Sequence, residues 1–315
     1  MPFDHDELIE KLNDRFKKSY RVLSLGGGLQ STTLLLLSLL GKLPKIDFAL
    51  FADTGWERKA TYENVEMLRE YALEFDVPIF TVKGYTNIRD QALNPDFGNF
   101  IHMPIYTLNL KTGKKSQQKR QCTTNFKIKP IRQFLRKSFG HRATFEMQIG
   151  ISRDEALRQK PSGVKYITNT FPLLKMGWSR GSCAEWLKHN GFSQPSKSAC
   201  VACPLHSNAK WLALTDEERD DAIDFDIQIR DNYKTSTKIL KPKPTKDGQL
   251  EAFSLSDYDK LNYNIEYLIQ ERDLKAYAHA SCEPLVDFYG DPESKAYQLP
   301  LFNFELEECT GMCFL

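Results

Sequence analysis

The sequence predicts an α/β fold, a doubly wound parallel sheet followed by a mainly helical C-terminal half. Three observations carry this expectation: β-type apolar runs alternate with helical periodicity over the first 150 residues, a triple glycine joins the first run to the first helix, and cysteines and short helical segments dominate beyond residue 160. Tyr20–Leu25 reads as a short buried strand, Gly26-Gly27-Gly28 as the turn after it, and Ser31–Leu40 as an apolar helix. Ile46–Ala52 reads as a second strand and Thr61–Phe75 as an amphipathic helix with apolar Val65, Leu68 and Leu73. Val77–Val82 reads as a third strand. Ile128–Phe139 looks helical and Ala143–Gly150 extended, and the sheet is expected to end there. Cys183–Asn190 is expected as a short helix, Thr215–Tyr233 as a helix opened by Thr215 with Glu218 at capping-box spacing, and Asp257–Arg272 as another, after the turn-rich connector Lys241–Gly248. The soft boundary falls near residue 160, giving a nucleotide-binding α/β region over 1–160 and a helical, cysteine-bearing region over 161–315.

The chain of 315 residues is 41% hydrophobic and 12% aromatic, far from the composition of disorder. The leucine-rich stretch Leu34–Leu40 is well short of the roughly 20 residues of a transmembrane helix. The N-terminus begins acidic and polar, unlike a signal peptide, so a cytoplasmic protein without membrane association is expected. Seven cysteines without a secretion signal point to reduced thiols or metal ligands rather than a disulfide framework. The net charge of +2 conceals a segregation. From Phe97 to Phe145 there are 11 basic residues and no acidic one, which leaves 32 basic against 41 acidic residues, a net of −9, elsewhere. An anionic partner would explain a basic run over 111–142, and so would a solvated surface loop and helix.

Gly26-Gly27-Gly28-Leu29-Gln30-Ser31-Thr32 lies where a strand gives way to a helix, the place where backbone N–H groups and the helix dipole can hold a phosphate. It matches neither a dinucleotide fingerprint, which needs Gly or Ala at Ser31, nor a Walker loop, which needs Lys before its Ser or Thr. A plain tight turn would carry the same glycines.

Taken with its neighbours, the run Ser24-Leu25-Gly26-Gly27-Gly28-Leu29-Gln30-Ser31-Thr32 resembles the S-G-G-x-D-S pyrophosphate (PP) loop of the adenine-nucleotide alpha-hydrolase superfamily, also called PP-loop ATP pyrophosphatases. The form with three glycines and Gln is similar to phage and bacterial members of the phosphoadenosine-phosphosulfate (PAPS) reductase family. Phe51-Ala-Asp-Thr-Gly-Trp-Glu57 resembles that family's F-x-D-T-G-x-E segment, and Cys122 to Pro130 its C-x-x-x-x-K-x-x-P segment. Gly150-Ile-Ser-Arg-Asp-Glu155 resembles G-I-x-x-D-E, Phe171-Pro-Leu-Leu with Trp178 the segment before a short helix, and Cys200-Val-Ala-Cys203 its C-x-x-C. Together these span roughly residues 20–210.

The resemblance implies an adenine-nucleotide-binding enzyme. Ser24, Gly26, Gly27, Gly28, Gln30, Ser31, Thr32 and Gly150 would surround the phosphates, and Asp53 would face adenosine. Arg153 or Lys127 would stabilise phosphate charge, and Glu57 or Glu155 would hold Mg2+ or position a base. Where the family usually carries Asp in its loop, this chain has Gln30, which cannot supply that carboxylate. Cys122, Cys183, Cys200 and Cys203 are candidate ligands of a 4Fe-4S cluster; structural zinc, with His206 as a further candidate ligand, and a redox pair remain alternatives. Three functions follow from the resemblance. One splits ATP to AMP and pyrophosphate and adenylates a substrate, possible on tRNA or DNA held by the basic run, for transfer of sulfur from a donor protein or of a related group. Another reduces PAPS or its desphospho analogue with a C-terminal thiol, Cys309 or Cys313. The third is a non-catalytic nucleotide-sensing or nucleic-acid-binding module.

Overall fold

The computed structural model describes residues 5–13, 18–97, 101–230 and 274–290. The described residues form two compact units: one takes the chain up to Asn87 together with Cys122–Val201, and the other takes Ile88–Gln121 and the described residues from Ala202 onward.

The first unit is built on a five-stranded, all-parallel sheet in the order β3-β2-β1-β6-β7. Its strands are β1 (Ser19–Leu25), β2 (Phe48–Asp53), β3 (Ile79–Lys83), β6 (Thr144–Ile149) and β7 (Ile167–Thr170). Alternation along each strand sends side chains to opposite faces, and both faces are apolar, as a parallel sheet wrapped on both sides requires. One layer joins Val22, Phe48, Leu50, Phe80, Phe145 and Met147 to Ile131 and Leu135 of α5 (Lys129–Phe139), with α1 (His5–Leu12) packed against it through Leu8, Ile9 and Leu12. The other joins Leu23, Leu25, Ala49, Phe51 and Ile79 to α2 (Leu29–Leu39), α3 (Lys59–Leu73) and α7 (Arg180–His189). This is an α/β arrangement of the Rossmann type. Every residue of α2 is buried, which explains its near-continuous run of leucines.

The sheet continues one strand further than the sequence predicts. β7 pairs in parallel with β6 beyond Gly150, and its short, half-polar sequence Ile-Thr-Asn-Thr carries little strand signal. Residue 160 accordingly lies within the first unit, between two paired strands. The helix expected from Ile128 begins at Lys129 and is preceded by a π-helical turn over Thr123–Ile128.

The second unit holds a three-stranded antiparallel sheet, β5-β4-β8, made of β4 (Tyr106–Asn109), β5 (Lys115–Gln117) and β8 (Leu274–Tyr277). With it are the helices α4 (Ile88–Leu93), α8 (Asn208–Leu212), α9 (Asp216–Ile229) and α10 (Leu285–Gly290), the short α6 (Pro172–Lys175) belonging to the first unit. The expected capping box opens α9: Thr215 Oγ1 accepts from Glu218 N at 3.2 Å while Thr215 N donates to the Glu218 carboxylate at 3.1 Å. Trp211, Phe225 and Phe288 are fully buried in this unit. The connector 241–248 and the helix expected over 257–272 lie outside the described residues. Among the described residues no helix is long and apolar enough to cross a membrane.

Candidate functional site

The chain runs β1, β2, β3 to one side of β1 and then returns to place β6 and β7 on the other. The carboxyl ends of β1 and β6 therefore flank the point where strand order reverses, where open α/β sheets leave a crevice for ligands. The glycine turn stands at the end of β1, and Gly150 at the end of β6.

Ser24, 6% exposed, stands one residue before the end of β1, and Gly26 N donates to Ser31 Oγ at 3.1 Å. Ser31 Oγ in turn donates to Gly28 O at 3.1 Å, which ties the turn to the helix it opens. Gly27 has φ +71°, a conformation that L side chains rarely adopt, and a Cβ there would stand 3.0 Å from methyls of both Thr61 and Val65. Asn64 Nδ2 donates to Gly27 O at 2.9 Å and to Thr32 Oγ1 at 3.2 Å, so α3 clamps the turn from outside. Gly28 is the N-cap of α2 and supplies no side-chain cap. The first intrahelical bond is Thr32 N to Gly28 O at 3.0 Å, so the amides of Leu29, Gln30 and Ser31 have no acceptor within the helix. With no acidic residue in the first turn of α2, the dipole's positive end is uncompensated by any side chain of that turn.

Gly150 lets β6 meet this helix end. A Cβ on it would come within 2.9 Å of Ser31 N and 3.1 Å of the Gln30 carbonyl carbon. Gln30, 4% exposed, uses both ends of its amide across the crevice: Nε2 donates to Glu155 Oε2 at 2.9 Å and to Ser152 Oγ at 3.4 Å, while Oε1 accepts from the Arg180 guanidinium at 3.2 Å. Arg158 pairs with the other Glu155 oxygen at 2.7 Å, and Asp154 accepts from Arg180 N at 2.8 Å. Gln30 thus brings a carboxylate, Glu155, to the glycine turn without carrying one. An Asp in its place would accept from Arg180 but would set a second negative charge against Glu155. Arg153, at the start of the 3-10 turn over Arg153–Arg158, is exposed and donates only its backbone N–H, to Trp178 O at 2.7 Å.

On the other side of β1, Asp53 ends β2 and is 5% exposed. Its Oδ1 accepts from Gly55 N and from the Tyr62 hydroxyl, both at 2.7 Å, and Oδ2 pairs with Lys83 at 3.2 Å. Burial, then the hydrogen bond to Asp53, pushes the Tyr62 phenol above its ordinary value and keeps it a donor. Asp53, Tyr62, Glu66, Arg69, Thr81 and Lys83 line part of a cavity of about 480 Å³ here. Glu57, expected to hold Mg2+ or position a base, and Lys127, expected to stabilise phosphate charge, pair with each other at 3.1 Å with side chains only 1% and 6% exposed. Thr54 Oγ1 donates to the same Glu57 oxygen at 3.1 Å and lies 3.4 Å from Cys200 Sγ.

The four candidate cysteine ligands occupy different surroundings. Cys122 precedes the π-helical turn, half-buried. Cys183 sits in the apolar layer of α2 and α7, where burial pushes its thiol up to about 11 against the opposing hydrogen bond with Thr33. Cys200 faces Thr54, and Cys203 belongs to the second unit. Among the described residues no three His, Cys, Asp or Glu side chains gather as a metal-binding group. Cys309 and Cys313 lie outside the described residues.

Within the basic run the fold engages Lys127 through Glu57, Lys115 through Ser281 O, Arg132 through Ser162 O, and Arg136 through the carbonyls of Gly140 and His141 beneath the ring of Tyr166. The reading from sequence singled out neither Arg180, Tyr62, Asn64 nor Ser198. Arg180 had one faint signal, the Ser179 N-cap that places it at the start of α7; the others had none.

No protein-family model and no curated protein matches this chain.

Proposed function

We propose that the protein binds the phosphates of an adenine nucleotide at the N-terminus of α2 and splits ATP between its α and β phosphates, as the resemblance to the PAPS reductase-like branch of the PP-loop superfamily implies. The observation that carries this reading is the coincidence of the uncapped, glycine-cornered end of α2 with the crevice between β1 and β6. An acceptor attacks the α phosphorus, the α–β anhydride bond breaks, and pyrophosphate departs with the bonding electron pair while the acceptor keeps AMP. The amides of Leu29, Gln30 and Ser31 take charge on phosphoryl oxygens, and the resemblance assigns the exposed Arg153 guanidinium to the same task. Asp53, at the end of β2, offers a ribose- or base-side partner. Magnesium carried in on the nucleotide would find its carboxylate in Glu155, already held by Gln30 and Arg158, and would neutralise phosphate charge. A 4Fe-4S cluster or zinc on Cys122, Cys183, Cys200 and Cys203 stays part of the proposal as the resemblance implies it, and no step is routed through it.

Incubation with ATP, Mg2+ and tRNA or DNA should yield AMP and pyrophosphate and raise the melting temperature, since a ligand of the native state alone must stabilise it. Gly27→Val, which forces a β-branched side chain into a positive-φ site against Thr61 and Val65, should abolish the shift. Sulfite from PAPS would instead identify the reductase, and binding without turnover the sensing module. If no adenine nucleotide changes the melting temperature, the reading is wrong.

A further inference from the structure

Ser198 lies 170 residues from the glycine turn in sequence and beside it in space. Two backbone bonds, Arg58 N to Ala199 O at 3.1 Å and Val201 N to Trp56 O at 2.9 Å, fasten residues 199–201 to 56–58 and hold Ser198 just ahead of them. Its side chain is 1% exposed, and Oγ has no hydrogen-bond partner. Oγ is the nearest atom to the Cβ that Gly28 lacks, at 3.0 Å, with Ser198 N and Cβ behind it at 3.7 and 3.8 Å. The backbone of Gly28, at φ −98° and ψ 177°, is open to any residue. Close approach of the Ser198 hydroxyl is therefore what its missing side chain permits.

A hydroxyl buried without a partner costs free energy, and native proteins keep such groups where something outside the chain satisfies them. The surroundings say what that would be. The end of α2 presents the amides of Leu29, Gln30 and Ser31 and no carboxylate of its own turn, and a set of donors is satisfied by an oxyanion. We infer that Ser198 is a binding residue whose Oγ–H donates to a phosphoryl oxygen of the ligand held at α2, completing from the far side of Gly28 the cradle that the amides begin. The inference rests on the nucleotide-binding reading above and extends it to a residue of the segment before Cys200.

The test is Ser198→Ala, with inorganic pyrophosphate and ATP titrated calorimetrically into both proteins and the ligand-free melting temperatures compared. Because the hydroxyl has no partner in the chain, its removal should leave the ligand-free melting temperature unchanged or higher. Affinity for both ligands should fall by about tenfold, the loss of one hydrogen bond to a charged group. Equal affinities in the two proteins would overturn the role of Ser198 while leaving nucleotide binding intact. A lower ligand-free melting temperature with unchanged affinity would overturn it in favour of packing. Failure of the wild-type protein to bind either ligand would remove the nucleotide reading, and this inference with it.

Discussion

Gly150→Ala is the substitution that most directly asks whether the meeting of β6 with α2 organises the site. The added Cβ would stand 2.9 Å from Ser31 N, 3.1 Å from the Gln30 carbonyl carbon and 3.2 Å from Gln30 Cβ, and two of these three atoms are backbone. Ordinary contact begins near 3.4 Å, so the first turn of α2 or the end of β6 must give by roughly 0.5 Å. Overpacking of this kind costs about 1–3 kcal/mol, a fall of several degrees in melting temperature for a chain of this size. The same displacement moves the amides of Gln30 and Ser31 and the Gln30 bridge to Glu155 and Arg180, so the ATP-dependent shift should shrink with it. Gly181→Ala is the matched control: it lies in α7, its nearest neighbour is Ser179 Oγ at 3.4 Å, and it should gain about 0.5 kcal/mol of helix propensity. Melting curves with and without ATP read both effects. A Gly150→Ala protein that melts within a degree of wild type and keeps the full nucleotide shift would refute the reasoning, because the close approach would then be neither tight nor coupled to binding.

Lys127→Ala should destabilise the protein by about 3–5 kcal/mol in urea unfolding, because it leaves the Glu57 carboxylate buried without its cation. Adding Glu57→Gln should recover much of that loss, and additive costs would show that the two side chains do not depend on each other. For Tyr62 the sign follows from its raised phenol. Below the ordinary value of 10.0 both folded and unfolded states keep the proton, and above it the unfolded chain sheds the proton first, so this residue's share of stability is complete below about pH 10 and is lost as the pH rises further. Tyr62→Phe should cost about 1 kcal/mol at pH 8 through the lost bond to Asp53, and its deficit relative to wild type should narrow above pH 10. A deficit that stays constant with pH would contradict the burial of the phenol.

What sequence alone made legible was local. Tyr20–Leu25, the three glycines and the leucine helix announce a strand, turn and helix because buried strands and helices are rich in apolar residues, and Thr215 with Glu218 announces α9 because a capping box needs only nearby residues. The missed features are ones in which the partner is remote. β7 is too short and polar to stand out, yet it gains its place by pairing with β6. Lys127 read as a cation for phosphate within a basic run, and its pairing with Glu57, 70 residues away, was not visible. Ser198 has no apolar neighbour pattern to mark it as buried, and the backbone bonds of Ala199 and Val201 to Arg58 and Trp56 come from residues about 140 positions away. Gln30 was visible as a departure from the family's loop; its replacement of a carboxylate by a bridge to one was not.

The strand order also sets a timetable for the nascent chain. β1, β2 and β3 can pair once the ribosome has released Lys83, but β1 then waits for β6, roughly 60 residues further on, with its second edge open. The glycine turn cannot meet Gly150 until that strand docks, and Ser198 arrives later still. Translation can thus pair three of the five strands early, while the proposed phosphate cradle is complete only after about 200 residues have been made, so truncated products would carry the glycine motif without the groups that surround it.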